Sequence, residues 1–182
     1  MGQAGIHDPL ESDLSESHLT IRVRPYRAED RAACATVFYR AVREGSAAFY
    51  DQAQREAWAP SPVPDYSSGP SKLERQWCQV AVRGAHLVGF MSLEPSGYLD
   101  MAFVLPEEMG KGTAAMLYAA LLEKARAEGV PRLTVIASHL ARRFFARQGW
   151  QVDRPEDLAA DGQVYEVFHM SLDMTPEGAR HA

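Results

Sequence analysis

Val104-Leu-Pro106-Glu-Glu-Met109-Gly110-Lys111-Gly112-Thr113-Ala114-Ala-Met-Leu-Tyr-Ala-Ala-Leu-Leu-Glu-Lys-Ala-Arg-Ala-Glu128 is the stretch that decides the fold. The apolar run Leu99–Val104 ahead of it is a strand, closed by Pro106, which has no N–H to give a ladder. Gly110 and Gly112 allow a tight turn and let a ligand approach the backbone. From Thr113 onward nearly every residue is a good helix former. Gly129 supplies a left-handed stop and Pro131 blocks continuation. A strand thus feeds a glycine loop, and the loop opens a helix whose first amides lack internal partners. That arrangement predicts a site for phosphate or pyrophosphate.

Three kinds of site use this device. A Walker loop places its lysine after the second glycine, and here Lys111 precedes Gly112. Gly110-x-Gly112-x-x-Ala115 meets the loose dinucleotide pattern, but no acid lies about 20 residues on, where Val130-Pro131-Arg132 stands. The third pattern, Val-x-Pro-x-x-x-Gly-x-Gly-x-Ala after a strand, resembles the coenzyme A loop of the GNAT superfamily of N-acetyltransferases. That family prefers Arg or Gln before the first glycine, where this chain has Met109. The departure removes one side-chain polar contact and leaves the backbone amides.

With 182 residues, 46% hydrophobic and 24% charged, the chain has the make-up of one globular domain with a sizeable core. Residues 1–18 hold Asp8, Glu11, Asp13 and Glu16 without Lys or Arg, so four of the five net negative charges lie there. The near-neutral remainder argues against nucleic acid or an anionic membrane as partner. No apolar run has spanning length and the N-terminus lacks signal-peptide character, so a cytoplasmic protein, monomer or homodimer, is expected. Cys34 and Cys78 do not make a disulfide framework; buried thiols are expected, with a single bridge as the alternative. The six histidines lack metal spacing, and no metal site is expected.

Taken in order, residues 1–18 predict a disordered acidic arm. Thr20–Arg24 alternates as a strand, a helix follows from Tyr26 to Gly45, and a second helix is expected from Ala47 to Trp58. Residues 59–71 carry four prolines and form a long loop, either a lid or a mobile crossing. After a short helix from Lys72 to Trp77, strands at 79–82, 87–93 and 99–104 form a meander. Beyond the long helix come a strand at 133–137, a short helix at 141–148, and strands at 150–152 and 165–170. The expected class is α/β, a mixed and largely antiparallel central sheet with flanking helices and one parallel pair around the crossover helix.

That order is the GNAT order, so the resemblance covers about residues 19–173, with 174–182 as a tail. A second local match, Ser138-x-x-Ala141-x-x-Phe144-Phe145-x-x-x-Gly149-Trp150, is similar to the family's segment flanking the cofactor. The resemblance implies an acetyl-CoA-dependent N-acetyltransferase acting directly on an amine of a small molecule or a protein. A coenzyme A-binding sensor or scaffold with lost catalysis is the alternative; a nucleotide-binding domain is a second rival. It further implies that the backbone of Ala102, Phe103 and Val104 holds the pantetheine arm and the acetyl carbonyl. Met109, Gly110, Lys111, Gly112, Thr113 and Ala114 would then hold the pyrophosphate, with Ser138 and Phe145 beside the cofactor. Lys111 is alternatively a solvated loop lysine, and Ser138 a helix cap.

The acceptor side is less marked. Asp100, inside an apolar strand, is either a candidate base or structurally paired. Phe145 stands where the family has a tyrosine acid, so protonation would come from water or from another tyrosine such as Tyr98 or Tyr39. Tyr39, Arg40 and Tyr50 are candidate acceptor contacts in the N-terminal helical region. His86 and His139 are expected at the surface.

Overall fold

The computed structural model describes residues 20–63 and 71–174. The expected acidic arm, the C-terminal tail and the middle of the 59–71 loop lie outside the described residues. Strand β1 (Ile21–Pro25) leads through a 3-10 turn into helix α1 (Arg31–Arg40), which runs on as a π-helical turn, Ala41–Gly45. Asp30 fixes this entry. Its carboxylate accepts two 2.7 Å bonds from Arg24 and one of 2.8 Å from the Arg27 amide, and Arg24 holds it below the usual carboxylate range.

Helix α2 is shorter than the composition predicts, Gln52–Trp58 rather than Ala47–Trp58. Asp51 stops it at the front, because its side chain accepts from the Gln54 amide while Gln54 bonds back to the Asp51 amide. Strands β2 (Trp77–Arg83), β3 (His86–Leu93) and β4 (Leu99–Val104) follow, then helix α3 (Thr113–Ala127), strand β5 (Arg132–Ala137) and helix α4 (His139–Arg147). The chain closes with β6 (Gln151–Ala160) and β7 (Gln163–Asp173), both longer than the sequence patterns predict. Their turn is Asp161-Gly162, both with positive φ, the two-residue hairpin that matches strand twist. Strand β6 is an edge strand, so Pro155 is tolerated in it.

The expected element order holds, while the parallel pairing is smaller than expected. Two antiparallel sheets form, β1-β2-β3-β4 and β5-β7-β6. Between β4 and β5 lies one parallel bridge, Tyr98 to Thr134, backed by the Thr134 amide donating to Gly97 O at 3.0 Å. Gly97 is buried at φ +90, and a Cβ there would meet Arg132 O and come within 2.9 Å of Val130. The half-sheets touch at this glycine and diverge beyond it, which leaves the outer edge of β4 without a strand partner from Leu99 onward.

Helix α3 buries Leu117, Leu121 and Ala125 against Met91 and Leu93 of the first sheet and Leu133 and Val135 of the second. This one core spans both halves. On the opposite face of the first sheet, Cys34 and Val37 of α1 pack with Val80, Val82 and Phe90. Both cysteines are buried and unbridged, and burial pushes both thiols up, that of Cys78 to about 12. Among the described residues no helix is long and apolar enough to cross a membrane.

Candidate active site

Divergence of β4 from β5 opens a cavity on the side of the glycine loop. Ala102, Phe103 and Val104 form one wall and Ala141, Phe144 and Phe145 of α4 the other, with Met109, Gly110 and Ala114 at the loop end. Gly112 precedes the first residue of α3 at φ +87 and Gly110 sits at φ +78, conformations that side-chain-bearing residues avoid. A Cβ on either would meet nothing within 4 Å, so the space above the loop is open. Gly112 offers no side-chain cap, and the first amides of the 15-residue α3 have no partner within the helix.

Two acids hold this loop from behind. Glu108 is buried and accepts from Arg83 at 2.9 and 3.1 Å and from the Thr113 hydroxyl at 2.8 Å. Arg83 keeps its carboxylate below the usual range, with help from Thr113. Glu107 pairs with Arg40 at 2.9 Å, and Arg40 also binds Glu44. Met109 lays its thioether over Gly45, where any Cβ would clash with its methyl group. The residue that departs from the family pattern therefore ties the loop to the π-helical turn. Lys111 stands exposed between the two glycines.

Arg143 and Arg147, one turn apart on α4, line the same cavity, and among the described residues no acid does. Its charge suits an anion at the loop end and an apolar chain in the gap. A second cavity adjoins it, lined by Tyr50, Trp58, Tyr98, Ile136, Leu158, Tyr165 and Val167, with Asp161 as the one formal charge among the described residues that line it. Trp58 and Ser138 line both spaces, so the two meet there. The Tyr50 phenol donates to Glu166 O at 3.3 Å and that of Tyr165 to Gln54 O at 2.9 Å. The Tyr98 phenol has no partner among the described residues, and burial, reinforced by Asp100 and Glu94, raises it above its ordinary value of 10.

Residues 41–172 match the family model for the acetyltransferase (GNAT) domain. The chain belongs to the GNAT acetyltransferase family. This GNAT chain is 34% identical over 150 residues to the uncharacterized N-acetyltransferase YafP of Escherichia coli, covering 82% of this chain and 94% of that one. The crystal structure of a GCN5-related N-acetyltransferase from Rhodopseudomonas palustris superposes with a TM-score of 0.74 at 30% identity, over 85% of this chain and 96% of that one. The PaiA N-acetyltransferase of Thermoplasma acidophilum, solved in complex with coenzyme A, shares the fold at a TM-score of 0.67 and 18% identity, over 85% and 99%.

The sequence candidates divide between places in this GNAT domain. Ala102, Phe103, Val104, Met109, Gly110, Ala114, Ser138 and Phe145 line the first cavity; Tyr50, Tyr98 and Ser138 line the second. Thr113 is buried with its hydroxyl turned to Glu108, which leaves its amide for the loop. Ser138 both caps α4, accepting from the Ala141 amide at 3.2 Å, and lies at the junction. Six candidates line neither cavity: Lys111, Gly112 and Thr113 of the glycine loop, and Asp100, Arg40 and Tyr39. Asp100 points into a surface groove, where it pairs with Lys72 at 2.9 Å and accepts from Gln76 at 2.8 Å. Arg40 anchors Glu107, and Tyr39 lies under the Arg43 guanidinium. His139 is half-buried, paired with Glu166 at 2.8 Å and stacked on Phe49, and not simply at the surface.

Sequence reasoning passed over Glu108, Trp58, Arg143, Arg147 and Tyr165. The arginines were findable, since their i, i+4 spacing puts them on one face of the helix that carries Phe144. Glu108 was not, because its partner Arg83 is 25 residues away on a hairpin.

Proposed function

We propose that this N-acetyltransferase holds acetyl-CoA, its cosubstrate, along the arginine-rimmed cavity and takes the acceptor amine in the tyrosine-walled one, with direct transfer at their junction. The observation that carries this reading is the meeting of the two cavities at Trp58 and Ser138 with opposite charge character, two arginines in one and a lone acid in the other. The residues fit the cosubstrate. The open space over Gly110 and Gly112 suits a pyrophosphate facing helix amides, and Arg143 and Arg147 suit its phosphates. The free edge of β4 offers the backbone donors and acceptors of Ala102 to Val104 to an extended chain carrying amides.

When bound, acetyl-CoA supplies an acetyl group already activated on a good thiol leaving group. The protein's part is to place a neutral amine against it and to exclude water. Neither cysteine lines the cavities, and both thiols are pushed up by burial, so neither is placed or activated to form an acyl-enzyme. Tyr98 is the proton donor in this reading. Its raised pKa keeps the phenol protonated at neutral pH, and its hydroxyl is not committed elsewhere among the described residues.

Calorimetry with coenzyme A tests the loop. Gly112→Ala should weaken binding modestly, through the strain of about 1 kcal/mol of a left-handed non-glycine residue. Gly112→Glu should abolish it, since a carboxylate would fill the cradle and repel phosphate. Equal affinity of Gly112→Glu and the wild type would remove the loop from the site.

A further inference from the structure

We infer that the acceptor is a monoamine on a flat apolar body, such as an arylalkylamine, and not a polyamine, an amino acid or a sugar amine. This rests on the second cavity being the acceptor side, and it goes further by naming what that cavity selects. The walls carry the first part of the argument. Tyr50, Trp58 and Tyr165 meet edge to face with centroids 5.6 to 5.9 Å apart, and the hydroxyls of both tyrosines are tied to backbone oxygens. The wall is therefore prepositioned ring surface, and the O–H donors of these two tyrosines are already used. Hydroxyl-rich sugars would lose water there and find few partners.

Leu158 and Ile136 carry the second part. Leu158 lies opposite Tyr165 on the β6–β7 hairpin and Ile136 on β5, and both line the cavity while 37% and 40% exposed. These side chains stay wet at the mouth and would be covered by an apolar ligand.

Charge carries the third part. No lysine, arginine or histidine lines this cavity among the described residues. An acceptor carboxylate would enter without a counter-charge, which costs several kcal/mol. A polyamine needs partners for two or more ammonium groups, and Asp161 at the hairpin turn is the single carboxylate among the described residues that line the cavity. A monoamine needs none of this. Asp161 can attract its ammonium at the mouth. Deeper in, apolar walls disfavour the charged form and lower the amine's pKa. Ring faces recover only part of what desolvating a cation costs. The cavity thereby favours the neutral nucleophile, which accounts for a junction at which no described residue supplies a carboxylate base: Asp100, the sequence candidate, is turned away to Lys72.

The test measures acetyl-CoA-dependent thiol release by the full chain with benzylamine, phenethylamine and tyramine against spermidine, lysine, glycine and glucosamine. Coenzyme A affinity is measured in parallel by calorimetry. The first three should exceed the others by about 100-fold in kcat/KM, the scale on which a pocket rejects a misplaced charge or hydroxyl. Leu158→Glu, a change at an exposed position, should cut benzylamine kcat/KM by about 10-fold or more through KM and narrow the gap to spermidine. Coenzyme A binding with a preference for spermidine, an amino acid or glucosamine would overturn the inference and leave the acetyltransferase reading standing. So would coenzyme A binding with no turnover of any apolar amine, or a Leu158→Glu enzyme with wild-type selectivity. Loss of the acetyltransferase reading itself would show differently, as no coenzyme A binding, or as binding with no thiol release above background for any amine of the set, polar or apolar.

Discussion

Phe145 is fully buried, its ring against Tyr118, Phe144 and Trp150, yet it also lines the first cavity. It is a packing residue in a cavity wall. Phe145→Leu should lower stability by about 1 kcal/mol through imperfect refilling of that space. Turnover should fall by much less than the roughly 100-fold or greater loss that follows removal of a general acid. Tyr98→Phe should do the reverse, with turnover down by about 100-fold and melting temperature and coenzyme A affinity held, if the free phenol donates the proton. A Phe145→Leu enzyme with unchanged melting temperature and collapsed turnover would show that the ring positions the thioester. At this scale the sequence pattern carries the absence of a phenol at 145, because Ala141, Phe144 and Gly149 pin the register. It could not carry the fate of Asp100, since a carboxylate in an apolar strand reads alike whether it meets a substrate or, as here, Lys72 and Gln76.

The glycine loop is held by contacts that no local motif encodes. Glu108 reaches Arg83 at the end of β2 and Thr113 at the start of α3, and so fixes the angle at which the helix amides face the cavity. Glu108→Gln keeps the shape and removes the charge. At pH 7 it should cost about 1–2 kcal/mol of stability, as expected for a charged hydrogen bond lost at a buried acceptor. It should also weaken coenzyme A binding while leaving kcat at saturation nearly unchanged. The sign with pH follows from the depressed carboxyl. Its contribution is complete above the ordinary value of 4.5 and is lost as pH falls through the folded value, so the wild type and Glu108→Gln should converge in acid. Denaturant melts of both proteins between neutral and acid pH check this; a constant gap would mean that the pair contributes shape rather than charge. Strand–loop–helix is legible in residues 99–128 because glycine and proline act locally. The β6–β7 hairpin is harder to see: Asp153-Arg154-Pro155-Glu156-Asp157 on an exposed edge hides the strand, and Asp161-Gly162 is its only clear signal.

At the scale of the molecule, element order follows from periodicity and is legible, while the size of the parallel seam is not. The number of bridges between β4 and β5 depends on where Gly97 lets the chains touch and on how α3 spans both half-sheets, both long-range matters. One bridge rather than a continuous ladder is what creates the site, since the unpaired edge of β4 becomes a wall of the cavity. The two cavities are joined by geometry, and the central claim is that an acetyl group crosses from one to the other without passing through the protein. The most direct measurement incubates the full chain with acetyl-CoA labelled in its acetyl group and a chemically mixed set of amines, and follows free thiol, amine products and intact protein mass together. Labelled acetyl on an amine, in step with thiol release and with no labelled protein, is the predicted result; a labelled protein that passes its acetyl on, or tight coenzyme A binding with no labelled amine, would contradict it.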